Sequence, residues 1–235
     1  MFVAATVCPQ APLLVPALAP GAPAAVEVMR GQVAASVANL VATRPSQVVV
    51  VAGADTAGRW GSRSGGTFAG YGVASASGGR DLTLPLSLTL GAFLLDQAGW
   101  TGDRSYVAVP TDAPPADCAR IGRELAEDPG QAALLVLGDG SAKRSTAAPG
   151  YFDERAAGFD RAAGQALGDS DAEALMRLDA DVAAQLWASG RAAWQVLAGA
   201  AGLAQQQGAS VTARLRYDEA PLGVGYLVAD WEFGR

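Results

Sequence analysis

Three runs of apolar, mostly β-branched residues stand out along the chain: FVAATV at 2–7, QVVVVA at 47–52 and ALLVLG at 133–138. Each is too short for a typical helix and too continuously apolar for a half-exposed strand, so each predicts a strand buried on both faces. Between the first two, Val26, Met29, Val33, Val37, Leu40 and Val41 recur at helical spacing, which predicts an amphipathic helix over 22–43 that stops at Arg44-Pro45. The same reading gives helices at 85–98 and 114–127 and a strand at 104–109. Residues 154–207 are mostly helical, interrupted near Gly168-Asp169, Leu178-Asp179 and Ser189-Gly190. Two strand-like runs, 211–217 and 223–233, close the chain across a turn at 218–222. The stretch GADTAGRWGSRSGG at 53–66 holds five glycines and predicts an irregular loop, and TFAGYGVAS at 67–75 reads as a further strand. Strands alternating with helices predict an α/β domain with helices on both faces of the sheet.

The 235 residues are enough for one domain with a well-buried core, and 50% apolar against 17% charged residues is the balance of a folded chain. A net charge of −6 with dispersed Lys and Arg argues against nucleic acid as a partner. The N-terminus does not read as a secretory signal, and no apolar stretch reaches the length of a membrane span, so cytoplasmic residence is expected. Cys8 and Cys118 are too few for a disulfide framework and are expected to be free thiols. Histidine is absent altogether, which removes the usual general acid–base near neutral pH and the commonest metal ligand.

In open α/β sheets, ligands bind where loops leave the carboxyl ends of strands. Three loops qualify here, Cys8–Pro12, Gly53–Gly66 and Gly138–Gly150. They supply Gln10, Asp55, Arg59, Asp139, Ser141, Lys143 and Arg144, a set that suits a polar or anionic ligand; each residue can equally be a solvated loop tip. GDGS at 138–141 lacks the Gly-Lys-Ser/Thr ending of a phosphate-cradling loop. Without histidine, Cys8, Ser141 and Ser189 have no obvious activating base. Asp55 and Asp139 would be the carboxylates of a glycosidase-like pair, although no spacing singles them out.

Taken together, VCPQAPLLVPAL at 7–18, VVVVAGAD at 48–55, GDGSAKRSTAAPGYFDERAAGFD at 138–160, SGRAAWQVLAGAA at 189–201 and YDEAPLGVGYLVADW at 217–231 carry a resemblance. In order and loop length they resemble the LigB-like superfamily of class III extradiol dioxygenases, which includes the Memo-like proteins. The resemblance implies a three-layer α/β/α fold around a central mixed sheet, a cleft at the strand ends and a dimer or larger assembly. It also implies non-haem iron held by two histidines and a carboxylate, with a further histidine acting on a catechol. At the matching positions this chain has Gln10, Ala54 or Asp55, Ala142 and Ser189. Only Asp55 among them is a strong metal donor, so no metal or other cofactor is expected.

The leading expectation is therefore a non-catalytic LigB-like protein whose cleft holds a small polar or aromatic molecule or a protein partner. Its binding candidates are Gln10, Asp55, Asp139, Ser141, Lys143, Arg144, Ser189 and Arg191, with Trp60, Phe68, Tyr71 and Trp194 as candidate walls. The alternatives are a metal-independent enzyme using Asp139, Lys143 or Cys8, an extradiol-type dioxygenase with an unusual metal site, and a scaffold that pairs through 154–207.

Overall fold

The computed structural model describes residues 2–127 and 130–234. Strand β1 (Phe2–Cys8) is followed by helix α1 (Ala24–Ala42) and strand β2 (Gln47–Ala54). Short strands β3 (Gly58–Trp60), β4 (Ser64–Thr67), β5 (Ala76–Gly78) and β6 (Asp81–Leu82) come next. Helix α2 (Leu86–Gln97), strand β7 (Asp103–Pro110), helix α3 (Pro115–Ala126) and strand β8 (Ala132–Leu137) complete the first part of the chain. Helices α4 (Ala156–Gly168), α5 (Ala172–Met176), α6 (Ala180–Gln185) and α7 (Arg191–Gln206) then lead into strands β9 (Ser210–Glu219) and β10 (Tyr226–Gly234).

Seven strands form one mixed sheet in the order β3-β7-β2-β8-β1-β10-β9. β7, β2, β8 and β1 run parallel, whereas β3 pairs antiparallel with β7 and β10 pairs antiparallel with both β1 and β9. The parallel strands are apolar on both faces because helices cover both. Val48, Val50, Ala52, Leu135 and Leu137 face the core shared with α1 and α2. Val49, Val51, Leu134 and Val136 face the core shared with α3, α4 and α7. The result is the three-layer α/β/α arrangement. Proline sets the start of three helices, as Pro23 before α1, Pro85 before α2, and Pro114 with Pro115 at α3, where a missing N–H costs nothing.

Two expectations from the sequence need correction. Residues 53–66 are not simply irregular, because β3 extends the main sheet and β4 opens a separate three-stranded sheet in the order β5-β4-β6. No strand spans 67–75: β4 ends at Thr67 and a 3-10 turn occupies Ala69–Tyr71. The reason is local. Phe68 is pulled fully into the core, edge-on to Phe93 with ring centroids 6.0 Å apart, and Gly72 turns the chain at φ 81° immediately afterwards. Among the described residues no helix is long and apolar enough to cross a membrane.

Candidate functional site at the strand ends

The parallel strands end on one edge of the sheet, Cys8 level with Leu137 and Ala54 level with Pro110. Just past these ends lie Gln10, Asp55, Thr111 and Asp139. The antiparallel β10 starts at the same edge with Tyr226. The backbone N–H of Gln10 donates to a carboxylate oxygen of Asp139 at 2.8 Å, tying the loop after β1 to the loop after β8.

The start of α7 seats on this edge. Gly190 N–H donates to the Asp139 carbonyl at 2.8 Å, and Asp139 N–H makes a long 3.4 Å contact to Ser189 Oγ. The fit depends on glycine: a Cβ on Gly138 would stand 2.2 Å from Cα of Gly190, and one on Gly53 would stand 2.7 Å from the Ser189 carbonyl. The same side of Gly53 faces Thr111 and, at 3.7 Å, Oε1 of Gln10, an atom that is buried with no hydrogen-bond partner. The structure thus brings together three expected residues, Gln10, Asp139 and Ser189.

Burial pushes the Asp139 carboxyl up from 3.8 to about 7, against the stabilising Gln10 N–H. Near neutral pH such a group both gives and accepts a proton, a capacity the chain has without imidazole. Tyr226 is held well above its ordinary value by burial, with the charge of Asp139 adding to the effect.

Beside this edge opens a cavity of about 310 Å³ whose lining includes Thr111, Asp112, Ala183, Ala184, Trp187 and Ser189. Its walls are mainly alanine methyls and an indole, with a few hydroxyls and one carboxylate at the strand side, the usual make-up of a small-molecule pocket.

The other expected residues have different work. Ser141 is fully buried, donating from Oγ to the Leu186 carbonyl at 3.0 Å and accepting from Lys143 N–H at 3.1 Å. Its own N–H donates to Asp160 at 2.7 Å, and Arg144 donates to the other oxygen of that carboxylate at 2.8 Å. Burial raises Asp160, while Ser141 N–H and Arg144 counter it. Arg191 also departs from the expected role. It is fully buried and brackets the end of β7, with bonds to the carbonyls of Ala113 at 2.5 Å and Thr111 at 2.6 Å and to Gln195 at 2.9 Å. Ser141 and Arg191 are therefore buried beneath the edge, bonded mainly to backbone carbonyls. Lys143 places its ammonium 5.4 Å from the Trp187 ring centre.

Asp55 is exposed, and Arg59, on β3, pairs with Glu124 at 3.0 Å in solvent. Of the expected walls, Trp194 and Phe68 are core, Trp60 is half-buried and Tyr71 is exposed. Cys8 is fully buried, and burial together with Asp230 raises its thiol, which disfavours the thiolate that a nucleophile needs.

The positions that the resemblance assigns to metal ligands, Gln10, Asp55, Ala142 and Ser189, offer an amide, one solvent-exposed carboxylate, a methyl and a hydroxyl. Such donors do not fit the iron of extradiol dioxygenases, and among the described residues no cluster of three or more His, Cys, Asp or Glu is placed to hold a metal. Thr111, Asp112, Trp187, Asp160 and Tyr226 were not singled out in the sequence. Thr111 and Asp112 follow the strand at 104–109 and obey the strand-end rule, whereas Trp187 lies in a helical stretch and gives no such signal.

No family model matches the chain, and no curated protein matches it. Among solved structures, the chain is similar to an uncharacterized protein from Escherichia coli K12. The TM-score is 0.59 at 13% identity, over 98% of this chain and 99% of that one. At that identity the likeness is one of fold: an α/β architecture shared from end to end.

Proposed function

We propose that this chain is a histidine-free relative of the LigB-like extradiol dioxygenases that has given up iron chemistry and binds a small polar or aromatic molecule at the strand ends. One observation carries the reading: a mostly apolar cavity of about 310 Å³ is lined at the strand side by Thr111, Asp112 and Ser189, and Ser189 Oγ in turn meets the Asp139 N–H. Kinship is supported by the order of the sequence motifs, whose loops flank this edge. The net charge of −6 favours a small molecule over nucleic acid.

The test pairs elemental analysis of chelator-free protein with a binding screen of phenols, amides and small alcohols, read by Trp187 fluorescence. Saturable binding that is lost when Ala184→Trp fills the cavity, with no stoichiometric transition metal, is the expected result. One equivalent of iron together with opening of a catechol ring would overturn it.

A second reading, metal-independent catalysis, is favoured by the Asp139 carboxyl poised at about 7. Any turnover found in the screen would then follow a profile with a limb near that pH, and Asp139→Asn would abolish the limb.

A further inference from the structure

A second cavity, of about 390 Å³, opens between the last turns of α1 and the strands β1 and β10. It shares no lining residue with the cavity at the strand ends. Its polar lining is Thr6, Asn39, Thr43, Arg216, Asp230 and Glu232, with Leu40 and the methyls of Ala4 and Ala42 between them.

A β-bulge brings the central pair of this lining together. Val228 pairs with Tyr217 but Ala229 with Leu215, which leaves Arg216 as the extra residue of β9. The bulge aims Arg216 at Asp230, where its Nε donates to one carboxylate oxygen at 2.8 Å. Thr6 Oγ1 lies 3.1 Å from the other oxygen and 3.4 Å from the Ser36 carbonyl. Ser36 itself is 1% exposed, and its hydroxyl has no partner. This polar seam interrupts a face of α1 that is otherwise Val26, Met29, Val33, Val37 and Leu40, where an aliphatic side chain would leave no hydroxyl unpaired. The seam runs toward the cavity, because Ser36, Asn39, Leu40 and Thr43 follow one another along one side of the helix.

We propose that this cavity binds an uncharged polyol, of the sugar or inositol type. Hydrogen-bonding capacity faces it unused: among the described residues the Arg216 Nη groups, the Asn39 amide and the Glu232 carboxylate have no side-chain partner. Thr43 Oγ1 donates its proton to the Leu40 carbonyl at 2.7 Å and is left as an acceptor. Donors and acceptors therefore alternate around one wall, which suits neighbouring hydroxyls, each giving one hydrogen bond and taking others. Charge argues against an ionic ligand of either sign. An anion would meet Asp230, Glu232 and the carbonyl end of α1, whose last turn holds no basic residue. A cation would meet Arg216, with Arg44 next to Thr43 and Arg214 opposite Asp230 just outside.

Saturation-transfer NMR and calorimetry of the full chain with glucose and myo-inositol test the proposal. At least one of the two should bind at a single site with a dissociation constant of about 1–10 mM, the range for a ligand of about twelve heavy atoms. Glucosamine and glucuronate, which place a cation or an anion on the same ring, should bind at least about tenfold more weakly than glucose. Asn39→Ala should weaken binding about fivefold to tenfold, and Ala42→Trp, which fills the cavity, should abolish it. Both positions are exposed, so the circular dichroism spectrum and melting point persist in each variant. The proposal is overturned by any of three results: no saturation by either polyol at about 100 mM, binding unchanged in Ala42→Trp, or a charged sugar that binds more tightly than glucose. Ala184→Trp, at the strand-end cavity, should leave polyol binding as it is, so the two sites are judged separately.

Discussion

Replacing Asp139 by asparagine should stabilise the protein, and increasingly so as the pH rises. The folded carboxyl has its pKa raised to about 7, whereas in the unfolded chain it titrates near 3.8. Below about pH 4 both states hold the proton and the group's contribution to stability is greatest. As the pH rises toward 7 the unfolded chain ionises freely while the folded one is forced to keep a proton or bury a charge, so stability falls; above about pH 8 the loss is complete. At ~1.4 kcal/mol for each pKa unit the loss reaches about 4 kcal/mol for a dry carboxyl, and about 2 kcal/mol with the partial exposure of this residue. Asparagine keeps the oxygen that accepts the Gln10 N–H and carries no charge to bury. The measurement is urea denaturation of wild type and Asp139→Asn at pH 4.5 and pH 8.5. The variant should gain under about 1 kcal/mol at the lower pH and roughly 2–4 kcal/mol at the higher, with melting raised on the order of 10 °C. An equal difference at the two pH values, or a variant weaker than wild type at pH 8.5, would show that Asp139 is not desolvated.

Three further outcomes are expected. Asp160→Ala leaves Arg144 and the Ser141 N–H without their buried acceptor and should cost about 3–5 kcal/mol in urea denaturation. Gly138→Ala drives a methyl into the backbone of Gly190 and should lower stability by about 2–3 kcal/mol, as the displaced start of α7 cannot yield like a side chain. Titration with a disulfide reagent should find no reactive thiol in the native chain and both cysteines after denaturation, because Cys8 and Cys118 are buried and raised by that burial.

The layers of the fold were legible because each carries a periodic signal. Continuous apolar runs marked β1, β2 and β8, helical spacing marked α1, and Arg44-Pro45 marked where α1 stops. The segment 67–75 misled because its alternation of apolar and small residues resembles a strand, while the decisive fact is a tertiary one: Phe68 finds Phe93 in α2. At the site, the strand-end rule pointed to Gln10 and Asp139, which do lie together at that edge, since it depends only on where strands stop. It could not tell a residue facing the edge from one buried under it. Ser141 and Arg191 look like loop and helix-start polar groups in sequence, yet each is enclosed by carbonyls from segments about 45 to 80 positions away. Trp187 was hidden for the opposite reason, an indole in a helical stretch that the turn after α6 swings outward at a left-handed residue.

The placement of β1 between β8 and β10 has a consequence for synthesis on the ribosome. The first strand to emerge acquires its parallel neighbour only once residues 132–137 have been translated, and its antiparallel neighbour only with residues 226–234. Until then an apolar strand with an unsatisfied edge must wait in a growing chain, so the nascent protein should depend on chaperones and fold late, as a unit, when β10 slots in between β1 and β9.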